Sequence, residues 1–439
     1  MGVAGTVPDM PRSVPTMTSS ARHHTIATRF VLELARALHA HGTPAHRLET
    51  LLATIAQRLG LRAEFFSTPT SIMVGFGELD DQQVNLLRVE PGQPNLGHLS
   101  VLDDITRDVI EGDLSPAEGL RRIEALLKAP PRWPLWLVLL AYVCASAAVA
   151  CFLRVFASDV PIAALLGLVT GGIAIFCAQS DSWRHVAEPF AAFVVTTLAL
   201  TFDVMTRSGT GYATSLAGLV VMLPGLTLTV ALTELSTRHL ASGTARLSGA
   251  LVIFLGLGFG VALGAKFGTY IGAYLADANS RESFTWLQQA SLPFWTEWVA
   301  LLIAPLAFTV LLNAKPRDAG WIVLACVASY LTSHAASATM GEELGAFLGA
   351  FVVSAGSNAI ARYFKRSPMV TVVPGLLILV PGSVGFRSVT SLLGQQVEAG
   401  VATGFRLLII GISLAAGLLA GNVIANAARA QKRRERAMR

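Results

Sequence analysis

From Pro134 to Ala428 the chain consists almost wholly of apolar runs of about 20 residues, the length an α-helix needs to cross the hydrocarbon of a bilayer. Lipid offers an open backbone no hydrogen bonds, so such runs must satisfy their polar groups internally, as helices. Residues 1–132 carry no run of this kind, and the change falls at APPRWP, residues 129–134. Composition points the same way: 53% of residues are hydrophobic, 14% are charged and the mean hydropathy is +0.57. Soluble globular chains lie outside that range. Cys144, Cys151, Cys177 and Cys326 all sit inside apolar runs, where they read as small hydrophobes rather than as disulfide partners or metal ligands.

Ten spans are expected, near 134–153, 159–179, 187–204, 212–233, 246–266, 295–313, 319–335, 344–362, 369–392 and 403–427. With the N-terminal domain in the cytoplasm, the inner loops hold Arg184, Arg238, Arg246, Lys315, Arg317, Arg362, Lys365 and Arg366, and the basic tail QKRRERAMR is also inside. The outer loops hold Arg154, Arg207, Lys266 and Arg281. This asymmetry obeys the positive-inside rule and predicts cytoplasmic N- and C-termini. The net charge of +5 is then a topology signal and a contact with anionic lipid, not a footprint of nucleic acid.

An internal repeat organises the spans. MLPGLTLTVALTELSTRHLASGTA (222–245) laid without gaps on LVPGSVGFRSVTSLLGQQVEAGVA (379–402) matches Pro224 with Pro381, Gly225 with Gly382, Thr233 with Thr390, Leu235 with Leu392 and Gly243 with Gly400. The register continues through Gly260 with Gly417 and Gly264 with Gly421, and Pro134-Leu-Trp136 and Pro293-Phe-Trp295 open the two halves. Two halves of five spans are expected, and because five is odd the copies must enter the bilayer from opposite sides, an inverted-topology repeat. In such folds substrate binds near the midplane on discontinuous helices. Pro224-Gly225 and Pro381-Gly382 are the matched breaks; the alternative is a pair of packing kinks.

The segment before the spans reads as a compact α/β domain. Helices are expected over 25–41 and 43–60, strands at AEFFST, SIMVGFG and QVNLLRVE, and two closing helices, the second capped by Ser115 with Glu118 at the capping-box position. His39, His41, His46 and Glu49 invite a metal reading, but no ligand spacing accompanies them, so surface or capping roles are expected and no metal or cofactor is assigned. Thr68-Pro69-Thr70-Ser71 with His46 as base hints at a hydrolase; without a nucleophile elbow it reads as a turn with local hydroxyl bonds.

Charges inside spans need a reason. Arg387 lies one turn beyond Ser383, at the start of the helix after Pro381-Gly382, where a guanidinium suits a carboxylate. An outer-gate role, paired with Glu297 or Glu398, is the alternative. After Pro224-Gly225, Thr227 and Glu234 share a face, and Glu234 suits an ammonium group or the coupling proton. Substrate contacts are therefore expected at Pro224, Gly225, Thr227, Pro381, Gly382, Ser383 and Arg387, and proton-coupling or gate roles at Glu234, Glu188 and Asp203. Opposite topologies place Glu234 and Arg387 toward opposite ends of their spans, roughly 20 Å apart on straight helices. Gly256, Gly260 and Gly264 read as small-residue helix packing rather than a phosphate loop.

LPGLTLTVALTEL with SGTARL (242–247), the second-half VPGS (380–383) and the soluble stretch HGTPAHRLETLLATIAQRLGLRAEFFSTPTSI (41–72) together resemble the threonine/serine exporter family. The residues and the resemblance together lead to the expectation of a polytopic α-helical membrane protein organised as a disordered tail (1–24), a cytoplasmic α/β domain (25–132), five-helix repeats at 133–292 and 293–428, and a basic tail (429–439). It implies a non-enzymatic, proton-coupled exporter of threonine and serine in a bacterial inner membrane, working by alternating access, and it is compatible with a homo-oligomer. Split relatives imply a dicarboxylate exporter as the alternative. A ligand-gated channel or receptor and a membrane-anchored hydrolase are the readings from other classes.

Overall fold

A computed structural model of the chain describes residues 19–278, 290–364, 366–379, 382–394 and 396–437. The N-terminal domain comprises α1 (Ser19–Ala40), α2 (Ala45–Arg58), β1 (Ala63–Thr68), β2 (Ser71–Phe76), β3 (Gln83–Arg88), α3 (Leu96–Glu111) and α4 (Pro116–Leu127). The strands form an antiparallel sheet in the order β1-β2-β3, with Phe66 opposite Met73 and Met73 opposite Leu86. Caps fix the closing helices: the Asn95 side chain accepts from His98 N at 3.0 Å, and Ser115 accepts from Glu118 N at 3.3 Å. The turn at Thr68–Ser71 is held by hydroxyl bonds, Thr68 Oγ1 lying 2.8 Å from Ser71 Oγ and accepting from Ser71 N at 3.1 Å. Helix α1 starts at Ser19, so the expected tail of 1–24 gives up its last residues to a helix.

The helical domain follows as α5 (Leu135–Phe152), α6 (Asp159–Cys177), α7 (Asp181–Arg184), α8 (Ala187–Thr206), α9 (Gly211–Leu219), α10 (Gly225–Ser236) and α11 (Leu240–Ala278). Then come α12 (Trp295–Leu311), α13 (Ala319–Met340), α14 (Glu342–Phe364), α15 (Met369–Leu377), α16 (Gly382–Leu393) and α17 (Val397–Ala437). Among the described residues eight segments are long and apolar enough to cross a membrane, and nine if Gly211–Met222 and Gly225–Ser236, bent by 60°, count as one. Trp295–Leu311 is a shorter apolar helix, and the expected total of ten depends on it. Helix α17 runs on through the basic stretch to Ala437.

Small side chains decide how these helices meet. A Cβ on Gly260 would lie 2.3 Å from Pro189 O and one on Gly264 2.6 Å from Phe193 O, so α11 presses directly on the α8 backbone. The same contact recurs between α17 and α14, where a Cβ on Gly417 would lie 2.2 Å from Phe347 O and one on Gly421 2.9 Å from Phe351 O. Polar contacts recur as well: Thr170 Oγ1 on α6 donates to Gly218 O on α9 at 2.8 Å, and Ser329 Oγ on α13 donates to Gly375 O on α15 at 2.9 Å. Between the two sets, α5 and α12 pack through alanines, Ala148 against Ala300 and Ala304, and Ala141 and Ala145 against Ala307. Replacing Gly260 with Leu should therefore force α11 off α8 and cost about 1–3 kcal/mol or more, while Gly249→Leu, with nothing within 4 Å of its Cβ, should be silent. Thermal unfolding in detergent reads the difference.

The N-terminal domain packs on one end of the helical domain. Leu96 N and Gly97 N donate to Leu312 O and Asn313 O at 2.9 and 3.1 Å, Lys315 Nζ donates to Ser100 Oγ at 3.0 Å, and Ser367 Oγ bonds Asp103, which also pairs with Arg47 at 2.9 Å. The domain's apolar core, built on Phe30, Leu34, Leu48, Leu52 and Ile72, continues without a gap into Leu312, Ala314, Ile322, Cys326, Met369, Val370 and Val373.

Candidate functional site

The first break has an evident cause. Pro224 has no N–H to offer the preceding turn, Leu223 is extended at ψ 130°, and a new helix begins at Gly225 after the 60° bend. The second broken helix restarts at Gly382; Val380 and Pro381 lie outside the described residues. The two restarts touch. A Cβ on Gly382 would lie 3.3 Å from Leu223 Cβ and 3.9 Å from Gly225 Cα, so the backbone of one break rests against the other. The first amides of an α-helix lack acceptors within the helix, and the opening turns of α10 and α16, which carry such amides, lie side by side here. Thr227 and Ser383 sit half-buried on those turns. Thr229, Thr233 and Thr237 each donate back to the carbonyl one turn earlier, which leaves α10 prone to bending.

Arg387 is exposed, while Gly385, Phe386 and Ser388 beside it are buried. It shares the face of Ser383 rather than that of Gly382. Glu297, one acidic partner expected for it, instead binds Arg154 at 2.5 Å, joining α12 to the second residue after α5.

Glu234 is fully buried near the C-terminal end of α10. Its carboxylate accepts from Ser242 Oγ at 2.7 Å and from Arg246 Nε at 3.1 and 3.2 Å, and also from Ala45 N, the first residue of α2, at 2.8 Å. The carboxylate thus caps a helix of the N-terminal domain, where the positive end of the helix dipole favours it. Asp203 caps in the same way, accepting from Ser208 Oγ, Thr210 N and Gly211 N at 2.7, 3.0 and 3.1 Å at the start of α9. Glu188 is half-buried in the first turn of α8. The structure brings the two breaks together and sets these three carboxylates at helix ends.

Surface or capping roles are expected for the histidines; His39 is buried, and His41 and His46 are half-buried. His39 is 2% exposed, and its Nε2 lies 3.0 Å from the Thr68 carbonyl. His46 stacks edge-on to His239 at 6.1 Å, His239 Nε2 lies 3.3 Å from Glu49 Oε2, and His98 Nδ1 lies 3.0 Å from His41 Nε2. Burial is the chief cause that pushes His46 down to about 4, against an opposing pull from Glu234; burial does the same to His41, helped by His98. Glu234, Arg246, His239 and Arg47 are the charged or titratable groups around His46. Because the packed state holds His46 neutral, packing is strongest above the free histidine pKa of about 6.5 and weakens as pH falls toward 4. Protection of the amides at the start of α2, after correction for the intrinsic pH dependence of exchange, should fall between pH 7 and pH 5 in the wild type, and much less in His46→Gln.

Sequence reasoning missed Arg246 and Ser242 as the groups that hold Glu234, although SGTARL places both one turn apart on the following helix.

A sequence profile of the threonine/serine exporter family (ThrE) matches residues 29–268, and a second profile, described as "Threonine/Serine exporter, ThrE", matches residues 297–424. The chain is similar to an uncharacterized protein of Schizosaccharomyces pombe, with 24% identity over 90% of this chain and 55% of that protein. It is also similar to "Pheromone-regulated membrane protein 10" of Candida albicans, at 27% identity over 82% of this chain and 33% of that protein. The Saccharomyces cerevisiae protein of the same name is 28% identical over 83% of this chain and 47% of its own length. The chain thus spans about half or less of the length of these relatives. They are fungal, so they lend nothing to the expected bacterial membrane. No solved structure matches.

Proposed function

The chain belongs to the threonine/serine exporter family, and on that premise we propose that it is a secondary transporter that moves threonine and serine across a membrane by alternating access, driven by a proton gradient. The observation that carries this reading is the contact between the two breaks, where Gly382 rests on Leu223 and Gly225. There the free amides of α10 and α16, with the Thr227 and Ser383 hydroxyls, are suited to the carboxylate of an amino acid. The recurrence of the same contacts in two sets of helices supports halves of equal architecture. Inner-face contacts at Arg184, Glu234, Lys315 and Ser367 fit an inverted orientation of the halves, with both termini on the cytoplasmic side.

Inverted vesicles containing the full chain, given labelled threonine or serine, should accumulate either one only when a proton gradient is imposed. Flux independent of the gradient would indicate a channel, and transport of succinate in place of the amino acids a dicarboxylate exporter. Reporters fused after Arg281 and after Lys365 should lie outside and inside respectively. Finding both on one side would sink the inverted arrangement.

A further inference from the structure

The N-terminal domain is covalently joined to the first half, through the link from α4 to α5, yet it packs mainly on the second. Its core is continuous with Leu312, Ala314, Ile322 and Cys326 and with Met369, Val370 and Val373, at the inner ends of α12, α13 and α15. Backbone bonds from Leu96 and Gly97 to the end of α12 pin the same side. Toward the first half the contacts are polar: Ala45 N on Glu234, Glu49 on His239 at 3.3 Å, and Glu90 near Arg184 at 4.0 Å. Among the described residues, Leu226 is the one first-half side chain packed against that apolar core.

These two attachments respond differently to water. Parting an apolar contact exposes side chains that have no substitute for it, whereas a polar seam exchanges bonds within the protein for bonds to water. Alternating access requires the inner ends of the two halves to separate, and a domain bonded to both must release one of them. We propose that the N-terminal domain and the inner ends of the second half move as one body, and that the inner mouth opens along the polar seam between this body and the first half, with Glu234 as the pin. The inference rests on the transporter reading for its purpose and on packing alone for its location. The domain is then an inner gate carried by the half to which it is not joined in sequence.

Two cross-links distinguish the seam from the fixed side. In full-length protein with Cys144, Cys151, Cys177 and Cys326 replaced by Ala, the pair Glu49→Cys/His239→Cys spans the seam and Asp103→Cys/Ser367→Cys spans the apolar attachment. A short thiol-cleavable bifunctional reagent should lower transport by at least about tenfold in the first pair, with recovery on reduction, and leave the second pair within about twofold of its unlinked rate. Equal loss in both pairs, or no loss in the first, overturns the proposal. A readout that needs no substrate uses spin labels at Leu79, Asp181 and Tyr363, all exposed. The Leu79–Tyr363 distance should stay single and fixed between pH 7.5 and pH 5 and with or without threonine, while Leu79–Asp181 gains a second population. If Leu79–Tyr363 moves, or neither pair moves, the seam is wrong. If the seam opens while neither threonine nor serine is carried, the substrate reading fails and the seam stands.

Discussion

Replacing Pro224-Gly225 with Ala-Ala is expected to abolish export while the protein still inserts and folds. Alanine restores the missing N–H and has the highest helix propensity, so the 60° bend between Gly211–Met222 and Gly225–Ser236 loses its cause. The amides that end free at Gly225 would be spent on the preceding turn. Export should fall at least about a hundredfold, equivalent to about 2.7 kcal/mol on the barrier. Gly382→Val tests the same point from the other break, because its Cβ starts 3.3 Å from Leu223 Cβ and two further methyls cannot fit without driving the breaks apart. Wild-type rates in both variants would mean that the bends are packing kinks.

Glu234→Ala should carry the largest stability penalty of any single change. The substitution leaves the Arg246 guanidinium, whose side chain is 12% exposed, without its carboxylate, and also strips the start of α2 of its acceptor. Removing one member of a buried pair costs about 3–5 kcal/mol. Glu234→Gln keeps an oxygen for Ala45 N and removes only the charge, so it should cost less. Adding Arg246→Gln to Glu234→Gln should recover part of the loss, and a double-mutant cycle on unfolding midpoints in detergent measures the coupling. If Glu234→Ala unfolds like wild type, the pair is not holding the domain.

Much of this architecture is legible in the sequence because its signals are local. Apolar length marks α5, α6, α8, α11 and α17; alternation and turn residues mark β1 to β3; Ser115 marks α4. The Gly260 and Gly264 spacing correctly announces close helix packing, and Pro224-Gly225 announces the 60° bend; Pro381 lies outside the described residues, and Gly382 after it touches Leu223. What the sequence hides is long-range pairing. Glu234 looks like a charge free to meet a substrate, since nothing nearby in the chain shows that Ala45, 189 residues earlier, places its amide on it. His46 reads as a surface residue for the same reason. Its ring meets His239, in the turn after α10, and no periodicity within α2 reports that contact.

The core shared between the N-terminal domain and α12, α13 and α15 also sets an order of events during synthesis. The domain leaves the ribosome before these helices, with the apolar side that faces Leu312, Ile322, Met369 and Val370 uncovered. Those residues emerge roughly 200 positions later, on the order of 10–40 s at ~5–20 residues per second. For that interval the nascent domain is a sticky, half-finished surface in need of a chaperone or of the bilayer headgroups. Its completion reports that α12, α13 and α15 are in place, so quality control that senses exposed apolar surface would read assembly of the second half from the state of the N-terminal domain.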